Sequence, residues 1–429
     1  MTGKMLVVNS ISPELDHLAA ALCEAQMLSA YVRPYLYVGR PWERVLMRMP
    51  GVGGALESSL ARRRMPAGLD PNRLQPTMVA NDFLATAAGR LANKGSRSAR
   101  WLQSELLRRR SPGLARAGAR AAAQADGVVG NYGVALAAFR AMEERGGTKV
   151  LNYPITHHRL TTRVLTEEAE RDAAFASTEA PMEVHRAAQP LWDAECELAD
   201  RLLVGSDFAR RSFVDEGVPE HKLHVVPYGV DLDIFTPGPG PVRAGKPGDP
   251  LRVVFAGQAS QRKGIRYLLE AAARYDRALE LTLVGSMPAD RTPFRPYEKH
   301  FRFVPSLPRD RLAALFRQHD VLVLPSLLEG LGMVVIEAMA CGLPVIVTPT
   351  GPDQVVDDGR EGFVVPVRDP DALCEQLACL HDDAELRRRM GERAVARARG
   401  LSWAQYRKAA ITAVCGGAAP VPVAEADRV

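Results

Sequence analysis

Two glutamates, Glu329 and Glu337, stand eight positions apart in the segment PSLLEGLGMVVIEAMACGLP, residues 325–344. The apolar run VLVL precedes this segment, so the pattern predicts a strand, then a glycine-containing loop with Glu329, then a helix that begins near Met333 and carries Glu337. Glycines let a ligand approach the backbone closely, and a helix N-terminus offers free N–H groups. A carboxylate accepts two hydrogen bonds and can bind the vicinal hydroxyls of a sugar. The segment suits an anion or a cluster of hydroxyls, although a tight strand–helix turn uses the same glycines.

The rest of the chain alternates short apolar runs with helical patterns, which is typical of α/β proteins with parallel sheets. Positions 39–125 are less regular. Five prolines and four glycines in residues 236–250 predict an exposed linker, after which the α/β pattern restarts. Ligands of such open sheets bind at the carboxyl ends of the strands. We predict two doubly wound, Rossmann-like domains that face each other across a cleft. The predicted segments are an N-terminal Rossmann-like domain (1–235), a linker (236–250), a C-terminal Rossmann-like domain (251–400), a helix crossing back to the first domain (401–415) and a disordered tail (416–429).

Composition excludes several classes of protein. Apolar residues make up 47% of the 429 positions and charged residues 24%, which is typical of globular proteins. The six cysteines are scattered without a C-x-x-C pair or zinc spacing, which argues against a disulfide scaffold and favours a reducing cytoplasm. No signal-peptide pattern, membrane-spanning run, Walker A loop or G-x-G-x-x-G motif is visible. We therefore expect a cytoplasmic protein.

Positive charge is concentrated between residues 33 and 120, which hold 17 Lys and Arg against 5 Asp and Glu. The same stretch contains apolar and aromatic residues that include Trp42, Leu46, Met47, Met49 and Trp101. A solvated basic face would show this charge, but so would a surface that meets an anionic membrane leaflet or a phosphate-bearing acceptor. Nucleic acid is not expected as a partner, because no helix-turn-helix, zinc-finger or RNP signature accompanies the charge.

The run EG-x-G-x(4)-EAMA-x-G-x-PV, residues 329–345, resembles the E-x7-E signature of the retaining glycosyltransferases of family 4, which have the GT-B fold. Four further segments are similar to that family, and the match is more specific in the second half of the chain than in the first. They are VVPYGVDLDIF (225–235), FAGQASQRKGIRYLLEA (255–271), HDVLVLPS (319–326) and DDGREGFVVPVRDPDAL (357–373).

The resemblance implies a nucleotide-diphosphate sugar as donor, with a uridine or guanosine base, and assigns roles to the matching positions. Glu337 binds the ribose hydroxyls, and Glu329 holds the donor hexose near its C3 and C4 hydroxyls. Lys263 and Arg262 neutralise the leaving diphosphate, whose charge grows in the transition state. Further donor contacts are assigned to the phosphate-binding strand and loop, to the base site and to the backbone N–H groups behind Glu329. These are Gly257, Gln258, Val304, Gly330, Leu331, Gly332 and Met333.

His157 and His158 follow a predicted strand that ends at residue 152. A pair of histidines in a loop is more often ordinary surface than a site, but members of the family often place a histidine of this loop in the cleft. The resemblance therefore implies that one of the two orients the sugar or the leaving phosphate. The sequence does not choose between them.

The chain departs from the family pattern at several places. Gln258 stands where the family has an arginine in the phosphate loop, and Arg262 supplies the positive charge instead. Pro305 replaces a glycine at the base site, and Gln354 replaces an acidic residue. Asn9, Ser10 and Ser12 occupy the first loop, where a glycine pair is usual. The pair Asp231-x-Asp233 spells the metal motif of the other major glycosyltransferase fold, but its segment already matches the family at the linker, so we expect no metal.

The resemblance implies a retaining glycosyltransferase, of the hexosyltransferase type, that acts by front-side displacement without a cofactor beyond its co-substrate. We expect a hydroxyl acceptor that is lipid-linked or otherwise anionic, in cell-envelope polysaccharide or glycolipid synthesis, and peripheral contact of residues 33–120 with the inner face of the membrane. One alternative is a soluble transferase that acts on a small molecule or natural product. Others are a nucleotide-sugar epimerase or phosphorylase of the same fold, or an inactive nucleotide-sugar-binding protein.

Overall fold

A computed structural model of the chain describes residues 3–36, 67–93, 97–180, 182–238 and 249–417. Within these ranges the first sheet has seven parallel strands in the order β3-β2-β1-β4-β5-β6-β7. Its first strand in the chain, Met5–Val8, is an inner strand of the sheet and an apolar run buried on both faces, as expected for a sheet covered by helices on each side. The strands are β1 (Met5–Val8), β2 (Leu28–Pro34), β3 (Leu74–Thr77), β4 (Gly127–Asn131), β5 (Thr148–Asn152), β6 (Arg201–Val204) and β7 (Leu223–Val225).

In the described part of the chain, the second sheet has six parallel strands in the order β10-β9-β8-β11-β12-β13. In both sheets the strand order runs outward from a central first strand in two directions, so the carboxyl ends on either side of that strand form a crevice. This arrangement confirms the predicted pair of doubly wound α/β sheets. The strands are β8 (Leu251–Gln258), β9 (Leu279–Ser286), β10 (Phe301–Pro305), β11 (Val321–Leu324), β12 (Val345–Val347) and β13 (Gly362–Val364).

Helices connect the strands of both sheets. Those of the first sheet are α1 (Pro13–Glu24), α2 (Val79–Asn93), α3 (Arg97–Ala122), α4 (Leu136–Glu143), α5 (His158–Arg171), α6 (Ala173–Ala176), α7 (Met182–Leu198) and α8 (Asp207–Val214). Those that follow β8 are α9 (Ile265–Arg274), α10 (Arg309–Phe316), α11 (Met333–Ala340), α12 (Pro370–Asp382), α13 (Ala384–Arg399) and α14 (Trp403–Val414). In the described ranges no helix has both the length and the apolar character needed to cross a bilayer.

The last helix, α14, returns to the first sheet as predicted. Trp403 at its start stacks on His17 of α1 with ring centroids 3.8 Å apart, and Arg407 lies 2.8 Å from Glu24 at the end of α1. Tyr406 is buried in the same apolar cluster, which runs from α1 through α14 into the second sheet. The two sheets are therefore joined by packed side chains as well as by the linker.

The region that the sequence left irregular contains β3, α2 and α3 in its described part. Helix α3 continues through Pro112, and its glycines serve packing: a Cβ at Gly118 would lie 3.0 Å from Val8 of β1. Three segments with predictions lie outside the described ranges: residues 37–66 of the basic stretch, residues 239–248 of the predicted linker and residues 418–429 of the predicted tail. Arg40, Trp42, Leu46, Met47 and Met49 are among them. All six cysteines are described, and each is a free thiol.

Candidate active site

The loop between β11 and α11 carries Glu329 and is packed against both domains. Strand β11 ends at Leu324 and helix α11 begins after Gly332, whose φ of +77° is readily adopted only by glycine. A Cβ at Gly330 would lie 2.0 Å from the carbonyl oxygen of Pro154, which follows β5 of the first domain. The loop therefore touches the opposite domain at a position where only a glycine fits.

Three charged side chains meet at this loop. The Nζ of Lys263 lies 2.7 Å from Oε1 of Glu329, and Nη1 of Arg262 lies 2.9 Å from the same oxygen and 3.0 Å from the carbonyl oxygen of Leu328. The two cations sit in a single 3-10 turn between β8 and α9. Gly264 ends that turn with φ +68°, and a Cβ there would lie 1.9 Å from the carbonyl oxygen of Pro325. The structure thus places Glu329, which the resemblance assigns to the donor hexose, against the two cations that it assigns to the leaving diphosphate.

Burial and mutual attraction set the charge of this cluster. Burial raises the pKa of the Glu329 carboxyl, but Lys263 and Arg262 outweigh that effect and hold the pKa below its usual range. Burial lowers the pKa of the Lys263 ammonium, and the neighbouring charge of Arg262 lowers it further, against the opposing effect of Glu329. Glu179 lies near enough to raise the pKa of both cations as well. A further anion that binds the two cations would therefore compete with these carboxylates.

Glu337 lies on α11, is 7% exposed and pairs with Arg309 at 3.0 Å. Burial raises the pKa of its carboxyl, Arg309 lowers it and Asp231 raises it again. Arg309 is the first residue of α10, and its guanidinium also lies over the ring of Phe235. No local sequence pattern indicates this arginine, because it is 28 positions away from its partner.

The carboxyl ends of β8, β9 and β10 lie side by side next to the charged cluster. Gly257 of β8 has φ +144°, and a Cβ there would stand 3.9 Å from Cε of Lys263; the next residue, Gln258, is exposed. Gly285 of β9 pairs with Gly257, and a Cβ at Gly285 would lie 1.8 Å from the Gly257 carbonyl oxygen. Val304 of β10 lies beyond β9, half-buried. The pattern did not single out Gly285, although a strand that ends in glycine is a recognisable signal of close approach.

Residues 330–333 open α11 behind Glu329. Gly330, Leu331 and Gly332 are buried, whereas Met333 is half-buried. The first N–H groups of a helix have no partner within the helix and carry the positive end of its dipole. The turn that follows β12 also closes on this loop, because a Cβ at Gly351 would lie 3.0 Å from the Glu329 carbonyl oxygen. Gln354 in that turn accepts the N–H of Asp207 at the start of α8, which is a contact between the domains.

The two histidines have different surroundings. His157 caps α5, and its Nδ1 accepts the N–H of Arg159 at 3.2 Å, so the ring hydrogen of the neutral form is on Nε2. Burial, with the charges of His158 and Arg159, lowers its pKa to about 3. Both ring nitrogens of His158 are engaged, Nε2 with Asp193 at 2.9 Å and Nδ1 with the Tyr153 hydroxyl at 3.3 Å. Within the described residues Nε2 of His157 has no hydrogen-bond partner, which favours His157 over His158 as the histidine available to a ligand.

The two histidines and Asp193 also place three possible metal-binding atoms within 4.8 Å of one another. The Arg159 guanidinium lies 2.9 Å from the other oxygen of Asp193. A fixed positive charge at that distance opposes a metal cation, so we expect no metal at this cluster. Asp231 and Asp233 form a turn, in which an Asp231 oxygen accepts the Asp233 N–H at 3.2 Å.

A polar network occupies the first loop of the N-terminal domain, where the family has a glycine pair. Asn9 Oδ1 accepts the N–H of Ser12 at 2.7 Å, Ser12 Oγ donates to Asn131 at 3.0 Å, and Asn131 in turn donates to Ser10 Oγ at 2.7 Å. Arg110 of α3 donates to the Ser10 carbonyl oxygen at 3.1 Å. The loop is therefore held rigidly at the carboxyl edge of the first sheet, and one of the predicted basic residues reaches it.

Sequence comparison relates the chain to characterised proteins. Residues 241–397 match the profile of the family described as "Glycosyl transferases group 1". A D-inositol 3-phosphate glycosyltransferase of Paenarthrobacter aurescens is 34% identical over 216 residues, which are 46% of this chain and 52% of the relative. Another of the same name, from Kineococcus radiotolerans, is 32% identical over 264 residues, which are 54% of this chain and 60% of the relative. The chain thus spans between half and three fifths of the length of these relatives.

Comparison with solved structures covers nearly the whole chain. Anabaena HepE, solved in complex with UDP-glucose, superposes with a TM-score of 0.62 at 14% identity over 96% of this chain and 99% of that one. A sucrose-phosphate synthase from Thermosynechococcus elongatus gives a TM-score of 0.59 at 20% identity over 94% and 96% of the two chains. At such identities the likeness shows the fold alone. The chain therefore has the GT-B fold, and its residues 241–397 are similar to the glycosyl transferases group 1 family.

Proposed function

We propose that the protein is a retaining glycosyltransferase of family 4 that transfers a sugar from a nucleotide-diphosphate sugar to a hydroxyl acceptor. The observation that supports this most directly is the buried cluster of Lys263, Arg262 and Glu329 beside the N-terminus of α11. It combines two cations that can bind a diphosphate with a carboxylate that can bind sugar hydroxyls. Both lie at the carboxyl ends of the strands of the second sheet, which face the first domain.

In the proposed reaction the bond between the anomeric carbon and the diphosphate oxygen breaks, and the acceptor hydroxyl bonds to that carbon on the same face. The acceptor proton passes to an oxygen of the departing diphosphate, so no protein base is needed. Lys263 and Arg262 stabilise the negative charge that builds on the diphosphate. Glu329 binds hexose hydroxyls and Glu337 binds those of the ribose. The protein supplies position and charge, which together account for large rate effects.

His157 supports this geometry as a neutral donor. Its pKa of about 3 keeps the ring uncharged at physiological pH, and Nε2–H is available to an oxygen of the sugar or of the leaving phosphate. The ring is 3% exposed and lies in the loop that follows β5, three positions after Pro154, which touches Gly330. Domain closure at that contact excludes water, which otherwise hydrolyses the donor.

We propose further that the acceptor is anionic. The N-terminal basic stretch and the approach of Arg110 to the first loop support this, as do relatives whose name specifies a phosphorylated inositol as substrate. Helix α3 adds an observation that favours a lipid-linked acceptor, because Trp101, Leu102 and Leu107 expose 64%, 41% and 46% of their surface. Such residues beside arginines suit the surface of an anionic membrane.

Flotation with liposomes distinguishes the two kinds of acceptor. Salt-sensitive binding to vesicles that contain anionic lipid, weakened when Trp101 and Leu107 become serine, supports a lipid-linked acceptor in cell-envelope glycolipid or polysaccharide synthesis. Absence of binding at low salt favours a soluble phosphorylated polyol. Loss of membrane contact would leave the proposed transfer chemistry intact, because none of these residues belongs to the donor site.

The main experiment screens the protein against UDP, GDP and their sugars by thermal shift, followed by donor turnover. A ligand that binds only the folded state raises the melting temperature. We expect one diphosphate to stabilise the protein, and its sugar to be transferred with the anomeric configuration of the donor, as read by NMR. Isomerised sugar from donor alone would indicate an epimerase, and binding without turnover an inactive binding protein. Binding of neither diphosphate would contradict the proposal.

A further inference from the structure

Residues of the N-terminal domain hold the turn that carries Arg262 and Lys263. Thr178 Oγ1 accepts the backbone N–H of Gln261 at 2.9 Å, and Glu179 Oε1 accepts that of Arg262 at 2.7 Å. Both acceptors lie between α6 and α7, on the chain segment that follows the histidine loop. The N-terminal domain thus holds the backbone of the turn that carries the two proposed phosphate-binding cations, in addition to the contacts within their own domain.

Glu168 on α5 makes the densest of these contacts. It is 1% exposed, and its carboxylate accepts hydrogen bonds from Gln261 Nε2, from the Tyr267 hydroxyl at 2.7 Å and from Arg368 Nε at 2.5 Å. All three donors belong to the C-terminal domain. Gln261 precedes Arg262 directly, and Tyr267 lies in the first turn of α9, which the cation turn opens. The carboxylate therefore fixes the turn from both of its ends.

Arg368 has a backbone conformation that reflects this contact. Its φ is +65°, in a region that side-chain-bearing residues seldom adopt, and its guanidinium reaches Glu168 and, at 2.8 Å, Glu167. Conformations of this kind persist where surrounding contacts hold them. Helix α5 begins next to His157 and reaches Glu168 ten positions after its first residue, about 15 Å along its axis. One rigid helix therefore connects the histidine cap to the cation turn.

We propose that Glu168 is a positioning residue for the transfer reaction: it fixes Arg262 and Lys263 relative to the histidine loop in the closed protein without contacting the substrate. The inference rests on the proposed function. Breaking the contact frees the cation turn from α5, so the cations no longer meet the leaving diphosphate in a preorganised place. Displacements near 1 Å at such groups reduce rates by as much as two orders of magnitude.

The test is the variant Glu168→Gln, which keeps the size of the side chain and removes its charge. Calorimetry measures the Kd values of UDP, UMP, GDP and GMP. Initial rates give kcat and KM with the nucleotide sugar whose base the wild type prefers. We expect the preference for diphosphate over monophosphate to fall about tenfold and kcat to fall about tenfold. A carboxylate that only stabilises the domain interface would lower the melting temperature and leave that preference unchanged.

Glu167→Gln is the matched control. Glu167 lies on the same helix and contacts the same arginine, but within the described residues it makes no hydrogen bond to the cation turn, and its side chain is 44% exposed. We expect its diphosphate preference and kcat to stay within twofold of the wild type. Should Glu168→Gln fail to fold, Tyr267→Phe removes one of its donors and is expected to lower the diphosphate preference in the same direction.

The outcomes separate the two proposals. If the wild type prefers a diphosphate and both Glu168→Gln and Tyr267→Phe match it in diphosphate preference and kcat, the positioning role is overturned. The proposed function then remains. A wild type that binds none of the four nucleotides overturns both. An equal loss of preference in Glu167→Gln and Glu168→Gln also overturns the role, since it would trace the effect to Arg368 alone.

Discussion

The Nζ of Lys263 lies 2.7 Å from Oε1 of Glu329, so a carboxylate of the protein shares the cation that is proposed to meet the donor diphosphate. Arg262 shares the same oxygen. Carboxylates of the protein itself thus partly neutralise the charge of the two cations. Any diphosphate that binds there competes electrostatically with Glu329 for two cations, and this competition can be measured.

We expect Glu329→Gln to bind the nucleoside diphosphate more tightly than the wild type while kcat falls, because both cations become available to the phosphates and the hexose loses a charged acceptor. Lys263→Ala is expected to lower kcat about 100-fold, since it removes charge that stabilises the transition state. Calorimetry with UDP and GDP and initial rates check both. Asp320→Asn is the control. Asp320 forms another buried ion pair, with Arg252 at 2.5 Å, and this pair lies at the amino ends of the strands of the same sheet, away from the two cations.

Both Glu329→Gln and Asp320→Asn should lose stability, by roughly 1–3 kcal/mol, because each removes the carboxylate charge that contacts a partly buried arginine or lysine. Only the former should change diphosphate affinity. Equal diphosphate Kd values for the wild type and Glu329→Gln would contradict the proposed competition.

The buried pair of Glu337 and Arg309 predicts a pH dependence of nucleotide binding. Burial raises the pKa of Glu337 above its usual 4.5, so the carboxylate takes up a proton, and loses its charge, at a higher pH than an exposed glutamate. Affinity for the nucleoside diphosphate should therefore fall as the pH decreases toward that pKa. Removing the counter-charge in Arg309→Ala raises the pKa further and moves the loss of affinity to higher pH.

Calorimetric titrations between pH 5 and 8 check this prediction. Glu337→Gln cannot titrate at this position, and we expect its affinity to be lower than that of the wild type and to lack this component of the pH dependence. A wild-type profile that matches the Glu337→Gln profile in shape would show that Glu337 does not contact the nucleotide.

The sequence indicated more residues of the candidate site in the second half of the chain than in the first. The loop with Glu329 and the helix with Glu337 are local patterns of glycine and apolar periodicity, whereas the turn with Arg262 and Lys263 was indicated by the family resemblance. Arg309, Glu168 and Arg368 act through partners between 28 and 200 positions away, and no local pattern reports such a contact. The choice between His157 and His158 likewise depended on which ring nitrogens are engaged.

The fold shows the same division. Apolar runs such as VLVL of β11 predicted strands from the local pattern alone. Helix α3 was missed because positions 39–125 show no regular pattern, whereas in the structure the helix continues through Pro112, and its Gly113 and Gly118 lie against Met78 and Val8. Tertiary packing outweighs intrinsic propensity at such positions.

His157 predicts a stability effect whose sign follows from its lowered pKa. In the unfolded chain the imidazole has its ordinary pKa of 6.5, whereas in the folded protein burial and neighbouring charges lower it to about 3. The unfolded state therefore takes up a proton below pH 6.5 that the folded state does not. The free energy of unfolding should decrease as the pH falls from 6.5, by up to roughly 1.4 kcal/mol per pH unit from this residue.

Urea unfolding of the wild type and of His157→Gln at pH 7.5, 6.5, 5.5 and 5.0 measures the effect, and the difference between the two slopes isolates it from other titrating groups. NMR should show that the His157 ring does not titrate above pH 5. Parallel slopes for the two proteins would mean that folding does not lower the pKa of His157, and would contradict the prediction.

Alanine substitutions at Gly330 and Gly264 should distinguish an effect on domain closure from an effect on folding. A Cβ at Gly330 would lie 2.0 Å from the carbonyl oxygen of Pro154 in the other domain, whereas one at Gly264 would lie 1.9 Å from the Pro325 carbonyl oxygen in the same domain. Gly330→Ala should therefore fold with a melting temperature near that of the wild type but fail to close. Gly264→Ala, which also has an unfavourable φ of +68°, should be destabilised by about 2 kcal/mol or more.

Small-angle scattering with saturating nucleoside diphosphate, together with kcat, checks the pair. We expect Gly330→Ala to retain diphosphate binding, to keep a larger radius of gyration than the wild type and to lose about 100-fold in kcat, because the two halves of the site no longer meet. A compact, fully active Gly330→Ala would show that the contact between Gly330 and Pro154 is not needed for transfer. A Gly330→Ala protein that unfolds like Gly264→Ala would instead assign that contact to stability.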